Sequence, residues 1–89
     1  MKELYLEVTF RHGRAMAAYL YLPRQADEKS SSTQRVEPGM VIDFGPRGNP
    51  IGIEITAPSR ISLADINGLL ESLELPPVAQ ADLAPLLAA

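Results

Sequence analysis

The chain contains no cysteine and only one histidine, His12. The first absence removes disulfides, thiolate metal sites and cysteine nucleophiles, and it suits a reducing cytoplasm. Histidine catalysis needs an orienting partner and a nucleophile nearby, whereas His12 sits between arginines in the turn-like Arg11-His12-Gly13 and reads as a solvated turn residue. No long hydrophobic run is present: the longest, Ala15 to Pro23, falls far short of the ~20 residues that span a bilayer. The start, MKELYLEVTF, lacks the positive region and apolar core of a signal peptide. Nor is there a run of like charge. The formal net charge is −3 and the Lys and Arg residues are scattered, which argues against a nucleic-acid footprint. Such binding would need Arg11, Arg14, Arg47 and Arg60 on one surface. There is no internal repeat beyond two hairpins of similar size. What these absences leave is a single cytoplasmic domain of 89 residues, with no membrane partner and no cofactor. At that size the core is modest, and oligomerisation is a common remedy.

What is present is strand periodicity. Leu4, Leu6, Val8 and Phe10 alternate with Glu3, Tyr5, Glu7 and Thr9, a one-sided strand. Gly13 follows, placed for the left-handed residue of a short hairpin loop. Ala15 to Leu22 is apolar on both faces and reads as a central strand or one with an oligomer contact. Such a run of Ala, Met and Leu could also be helical; its shortness and its two tyrosines favour strand. With a loop from Arg11 to Gly13, Val8 faces Met16, Leu6 faces Ala18 and Leu4 faces Leu20, while Tyr5 pairs with Tyr19. Arg24 to Gln34 is polar and serine-rich and reads as a mobile surface loop.

Arg35 to Ala57 reads as the central hairpin. Met40, Ile42 and Phe44 alternate in one strand, and Ile51, Ile53 and Ile55 in the next. A three-residue loop, Pro46 to Gly48, would put these two apolar sets on opposite faces. A four-residue loop, Gly45 to Gly48, sets Ile42 opposite Ile51 and Met40 opposite Ile53, with all large apolar side chains on one face. Burial favours the second register. Pro38-Gly39 marks an edge start or a bulge.

Ser62-Leu63-Ala64-Asp65 resembles a capping box, with Asp in place of Glu. Ile66, Leu69, Leu70 and Leu73 then recur at helical spacing, giving an amphipathic helix from about Leu63 to Leu73 that covers the sheet or, alternatively, binds a partner. Gly68 weakens it by about 1 kcal/mol relative to alanine. Pro76-Pro77 ends the helix, and residues 76–89 form a tail or a short helix in which Pro85 sits badly. The expected fold is therefore α+β: a small four-stranded antiparallel sheet of two hairpins, with a C-terminal amphipathic helix packed on one face and the domain spanning residues 1–75.

Two sets of residues are candidates for function. With the helix on the Leu4/Leu20/Ile53 face, Tyr5, Tyr19 and Tyr21 lie on the opposite face, where Ala15, Ala17 and Val41 add apolar area. Tyrosine combines an apolar body with a polar tip and is enriched at interfaces; it also simply suits a strand. Asp43 and Glu54 share the same face and could hold a metal or do acid–base work. In the preferred register they stand about four residues apart along the ladder, or ~13 Å, too far to act on one atom. Gly45-Pro46-Arg47-Gly48 leads into a strand, not the helix N-terminus that phosphate cradles use.

The segments Val36-Glu37-Pro38-Gly39-Met40-Val41-Ile42-Asp43-Phe44 and Gly48-Asn49-Pro50-Ile51-Gly52-Ile53-Glu54-Ile55, with Ala17-Ala18-Tyr19-Leu20, resemble the hallmark of a small prokaryotic family of unknown function. The resemblance covers about residues 10 to 57. That family carries acidic residues in its first hairpin, and Phe10 to Met16 supplies none. The resemblance implies a compact four-stranded antiparallel domain, cytoplasmic, without established enzyme activity, and with an antitoxin-like or regulatory role beside a small protein partner. The resulting expectation is a non-enzymatic interaction module that self-associates, with a small-ligand or metal-binding domain using Asp43 and Glu54 as the alternative.

Overall fold

A computed structural model of the chain describes residues 5–23 and 29–87. Five antiparallel strands form one sheet: β1 (Tyr5–Arg11), β2 (Arg14–Tyr21), β3 (Ser32–Val36), β4 (Met40–Phe44) and β5 (Pro50–Ile55), in the spatial order β1-β2-β5-β4-β3. Strands β3, β4 and β5 follow one another through tight turns, and β2 returns to lie beside β5, so β2 to β5 make a Greek key. Helix α1 (Leu63–Ser72) and the short α2 (Ala84–Leu87) follow, with 3₁₀ turns at Pro58–Arg60 and Gln80–Leu83.

The expected sheet of four strands gains a fifth. Ser32, Thr33 and Gln34, expected in a loop, belong to β3. Among the described residues this is an edge strand paired only with β4, and four of its five residues are exposed. An edge strand open to water on several sides has no need of apolar alternation, so its polar composition hid it. The connection between β2 and β3 is long because it must pass β5 and β4, a span of roughly 14 Å at ordinary strand spacing. Both ends are tied to the sheet: the Leu22 N–H donates to Ile51 O (3.1 Å) and the Ser31 N–H to Phe44 O (2.7 Å). Residues 24–28 of that loop lie outside the described residues, as does Leu4 with its expected partner contact. Pro38-Gly39 is neither an edge start nor a bulge; it lies in the turn joining β3 to β4, where the Glu37–Pro38 peptide is cis.

The β1–β2 and β4–β5 registers each differ from expectation by two residues, and bulges are the reason. In the β4–β5 hairpin the loop is the three-residue Pro46 to Gly48. Gly48 adopts φ +83°, and the Gly45 N–H donates to Asn49 O (2.8 Å). That is a turn closed by a left-handed glycine. Alone it would turn the isoleucines away from Ile42. A bulge at Ile51, between Gly52 opposite Asp43 and Pro50 opposite Phe44, inserts one residue and reverses the parity. Ile42 then faces Ile53, and Met40 faces Ile55. Burial chose the face, as expected, but did so through a bulge and not through a longer loop.

The β1–β2 hairpin repeats the device. His12 and Gly13 both have positive φ (53° and 76°), the two-residue turn that suits strand twist. Arg11 pairs with Arg14, and Met16 is the extra residue. Leu6 then faces Leu20 and Val8 faces Ala18. Tyr5 pairs with Tyr21, and Tyr19 with Glu7, correcting the expected Tyr5–Tyr19 pair. The run Ala15 to Leu22 is a central strand, paired along both edges; its second apolar face, with Ala17, Tyr19 and Tyr21, lies on the side that no described helix covers.

One face of the sheet carries the core. Leu20, Ile42, Ile53 and Ile55 pack with Ile66, Leu69 and Leu70 of α1. Ile66 and Leu70 are fully buried, each contributing about 1.5–3 kcal/mol. The capping box forms as the sequence indicates: Ser62 Oγ accepts from the Asp65 N–H (3.1 Å), and Asp65 Oδ2 accepts from the Ser62 N–H (2.9 Å). At the other end the Leu75 N–H donates to Leu70 O and the Glu74 N–H to Glu71 O (both 2.9 Å). This is a Schellman closure with Glu74, at φ +61°, in the seat glycine normally takes.

Beyond Pro76-Pro77 the chain returns to the core. Val78, Leu83 and Leu86 are buried in the same cluster as α1. Pro85 lies in the first turn of α2, where its missing N–H costs no helix bond. The Asn67 side chain grips this segment with both ends of its amide: Nδ2 donates to Val78 O (3.1 Å) and Oδ1 accepts from the Val78 N–H (2.8 Å).

Candidate functional site

Strand alternation places α1 and the C-terminal segment on one face of the sheet; no described helix packs on the other. The pairings arrange that open face in rows. One row runs Tyr5, Tyr21, Gly52, Asp43, Thr33 from β1 to β3, and the next runs Glu7, Tyr19, Glu54, Val41, Arg35. Ala17 continues the tyrosine column of β2, opposite Thr9. Tyr5, Ala17, Tyr19, Tyr21 and Val41 thus fall on one continuous surface, whereas Ala15, expected beside them, packs against the core because the bulge at Met16 reverses its side.

The tyrosines are held in place. The Tyr19 and Tyr21 rings meet edge to face at 4.7 Å, and Tyr5 and Tyr21 lie tilted at 5.4 Å, separations at which aromatic pairs attract. The Tyr19 hydroxyl donates to Asp43 Oδ2 at 2.6 Å, a short charge-assisted bond spanning β5. The Tyr21 hydroxyl donates to Glu7 Oε1 at 3.2 Å. Tyr19 reaches Asp43 only because Gly52 lies between them. A Cβ at Gly52 would collide with the Tyr19 hydroxyl and its ring carbon. Gly52 is therefore the floor over which the ring lies, a role that sequence reading missed; an isolated glycine inside a strand pattern was the available signal. Tyr5 is half exposed, and Tyr19, Tyr21, Ala17 and Val41 are half-buried in the chain alone.

The register also corrects the carboxylates. Glu54 faces Val41 and Asp43 faces Gly52, so the two acids are diagonal neighbours about 7–8 Å apart, not ~13 Å. Asp43 is already engaged by Tyr19. Among the described residues there is no group of three His, Cys, Asp or Glu that could hold a metal. His12 is an exposed turn residue. Arg11 and Arg14 stand at one end of the sheet and Arg47 in the β4–β5 turn at the other. A second surface feature is a shallow groove of about 700 Å³ between the bulged end of β2, the Pro58–Arg60 turn and Leu86. Met16 lines it and is half exposed, as is Phe10 nearby in the ladder. No helix of the described residues is long and apolar enough to cross a membrane.

The architecture is thus a small α+β domain: a Greek-key sheet, one face covered by helix and the other free of helix among the described residues. A domain described as a protein of unknown function (DUF2283) is found over residues 15–58. That match covers just under half of the chain; it begins one residue into β2, runs through β5 and stops before α1. No curated protein and no solved structure matches the chain.

Proposed function

We propose that this chain is a non-enzymatic protein-interaction module whose docking surface is the open sheet face. The observation that carries the reading is the one-sided cover of the sheet together with the tyrosine cluster on the bare side, where Tyr5, Tyr19 and Tyr21 are fixed by ring contacts and hydrogen bonds. Rigid tyrosines lose little conformational freedom on binding, which favours affinity. Ala17 and Val41 supply the apolar ground between them. A regulatory, antitoxin-like role in the cytoplasm extends this reading on the strength of the family resemblance: the chain would hold a small protein through this face.

The test compares retention of partners by the immobilised wild-type chain with retention by Tyr5→Glu and Tyr19→Glu, at two salt concentrations. Tyr5→Glu leaves the Tyr19–Asp43 bond intact and guards against misfolding as the cause of a loss. Both variants are expected to release what the wild type retains. Equal retention by wild type and variants would sink the reading.

A second reading makes the face a small-ligand or metal-binding site built on Asp43 and Glu54. What supports it is their diagonal placement, closer than the sequence implied. A ligand bound only by the folded state raises apparent stability, so a thermal-shift screen of common metals and metabolites decides it: a flat screen counts against this reading.

A further inference from the structure

We infer that the occupant of the open face is a second copy of this chain, packed face to face about a twofold axis running along β5. The inference rests on the reading of that face as a docking surface and names its partner. Its basis is the charge pattern of one row: Glu7, Tyr19, Glu54, Val41, Arg35. The acid stands on one edge strand and the arginine on the other, both exposed, with β5 midway between them.

A twofold along β5 lays β1 over the partner's β3, β2 over its β4, and β5 over itself. Glu7 then meets the partner's Arg35, and by symmetry the contact forms twice. Tyr19 meets the partner's Val41. In the neighbouring row Tyr21 approaches the partner's Asp43, and Tyr5 the partner's Thr33. The like-charge contact of this arrangement is Glu54 against the partner's Glu54, on the axis. The other in-plane twofold, along the row, would lay every strand on itself. Glu7 would then face the partner's Glu7, and Arg35 the partner's Arg35. Charge therefore selects the first axis. Face-to-face sheets with strands within about 30° of each other are a standard packing, and a twofold contact is the commonest self-association.

Sedimentation equilibrium on the full chain tests this. The wild type is expected to dimerise, more weakly as salt rises, because exposed pairs are screened. Glu7→Arg and Arg35→Glu each turn two attractive contacts into repulsive ones, and each is expected to raise the dimer Kd about tenfold. The double variant Glu7→Arg/Arg35→Glu restores the pairs in reversed sense, and its Kd is expected within about threefold of wild type. Glu54→Gln is expected to tighten the dimer. Both reversed positions are exposed, and Glu7→Arg gives up only the exposed 3.2 Å bond from the Tyr21 hydroxyl, so thermal melts of the variants taken well below the dimer Kd should stay close to wild type. A chain that stays monomeric up to about 1 mM overturns the self-pairing, as does a dimer that the double reversal does not restore. Neither result touches the wider reading: a monomer whose heterologous partner is released by Tyr5→Glu would still dock through this face.

Discussion

Gly52→Ala is the change whose effect the sheet geometry defines most sharply. An added Cβ would overlap the Tyr19 hydroxyl and ring carbon. Backbone on β5 is fixed by ladders to β2 and β4, so the ring must move instead. Moving it breaks the 2.6 Å bond to Asp43 and disturbs the edge contact with Tyr21. A hydrogen bond to a charged group is worth about 1.5–3 kcal/mol. Against this, alanine is favoured over glycine inside a strand by roughly 0.5–1 kcal/mol. The net expectation is a loss of about 1–2 kcal/mol, or a fall in Tm of several degrees for a domain of this size. In a Tyr19→Ala background the collision is gone, and Gly52→Ala should become neutral or stabilising. Urea unfolding of the four proteins of this double-mutant cycle gives the coupling directly. A Gly52→Ala variant as stable as wild type, or equal costs in both backgrounds, would refute the placement of the ring over the glycine.

Three further outcomes follow from the helix ends and the C-terminal segment. Glu74→Gly should stabilise the chain by about 1 kcal/mol, because glycine takes the left-handed seat of the Schellman closure without strain; an unchanged urea midpoint would contradict that closure. Asn67→Ala should cost about 1–3 kcal/mol by stranding the part-buried Val78 backbone groups, with faster amide exchange at Val78 as the local signature. Ser62→Ala should cost about 1 kcal/mol through loss of the cap on the Asp65 N–H, read by thermal melts.

Local signals in the sequence were reliable where a single element carries its own pattern. The Ser62/Asp65 cap and the spacing of Ile66, Leu69 and Leu70 place α1 because each is set within a few residues. The alternation of Leu6 and Val8, and of Ile53 and Ile55, likewise names the buried face and so the open one. Register was not legible. Burial dictates only which side chains share a face, and a turn followed by a bulge at Met16 or Ile51 meets that demand as well as a longer loop does. β3 escaped because an edge strand needs no apolar stripe. The Asn67 grip on Val78 joins segments 11 residues apart and has no periodic signature. For the candidate site, the tyrosine face was legible, while its rows, the Gly52 floor and the end positions of Glu7 and Arg35 depended on register and appeared only with the fold.

The measurement that bears most directly on face-to-face self-pairing through the open face is a concentration series of amide and tyrosine-ring NMR spectra on the full chain. Shifts are expected to grow with concentration at Glu7, Tyr19, Tyr21, Arg35, Val41 and Glu54, while Ile66 and Leu70 on the covered side stay still. Spectra that do not change, or changes confined to Phe10, Met16 and the groove beside Leu86, would contradict that self-pairing.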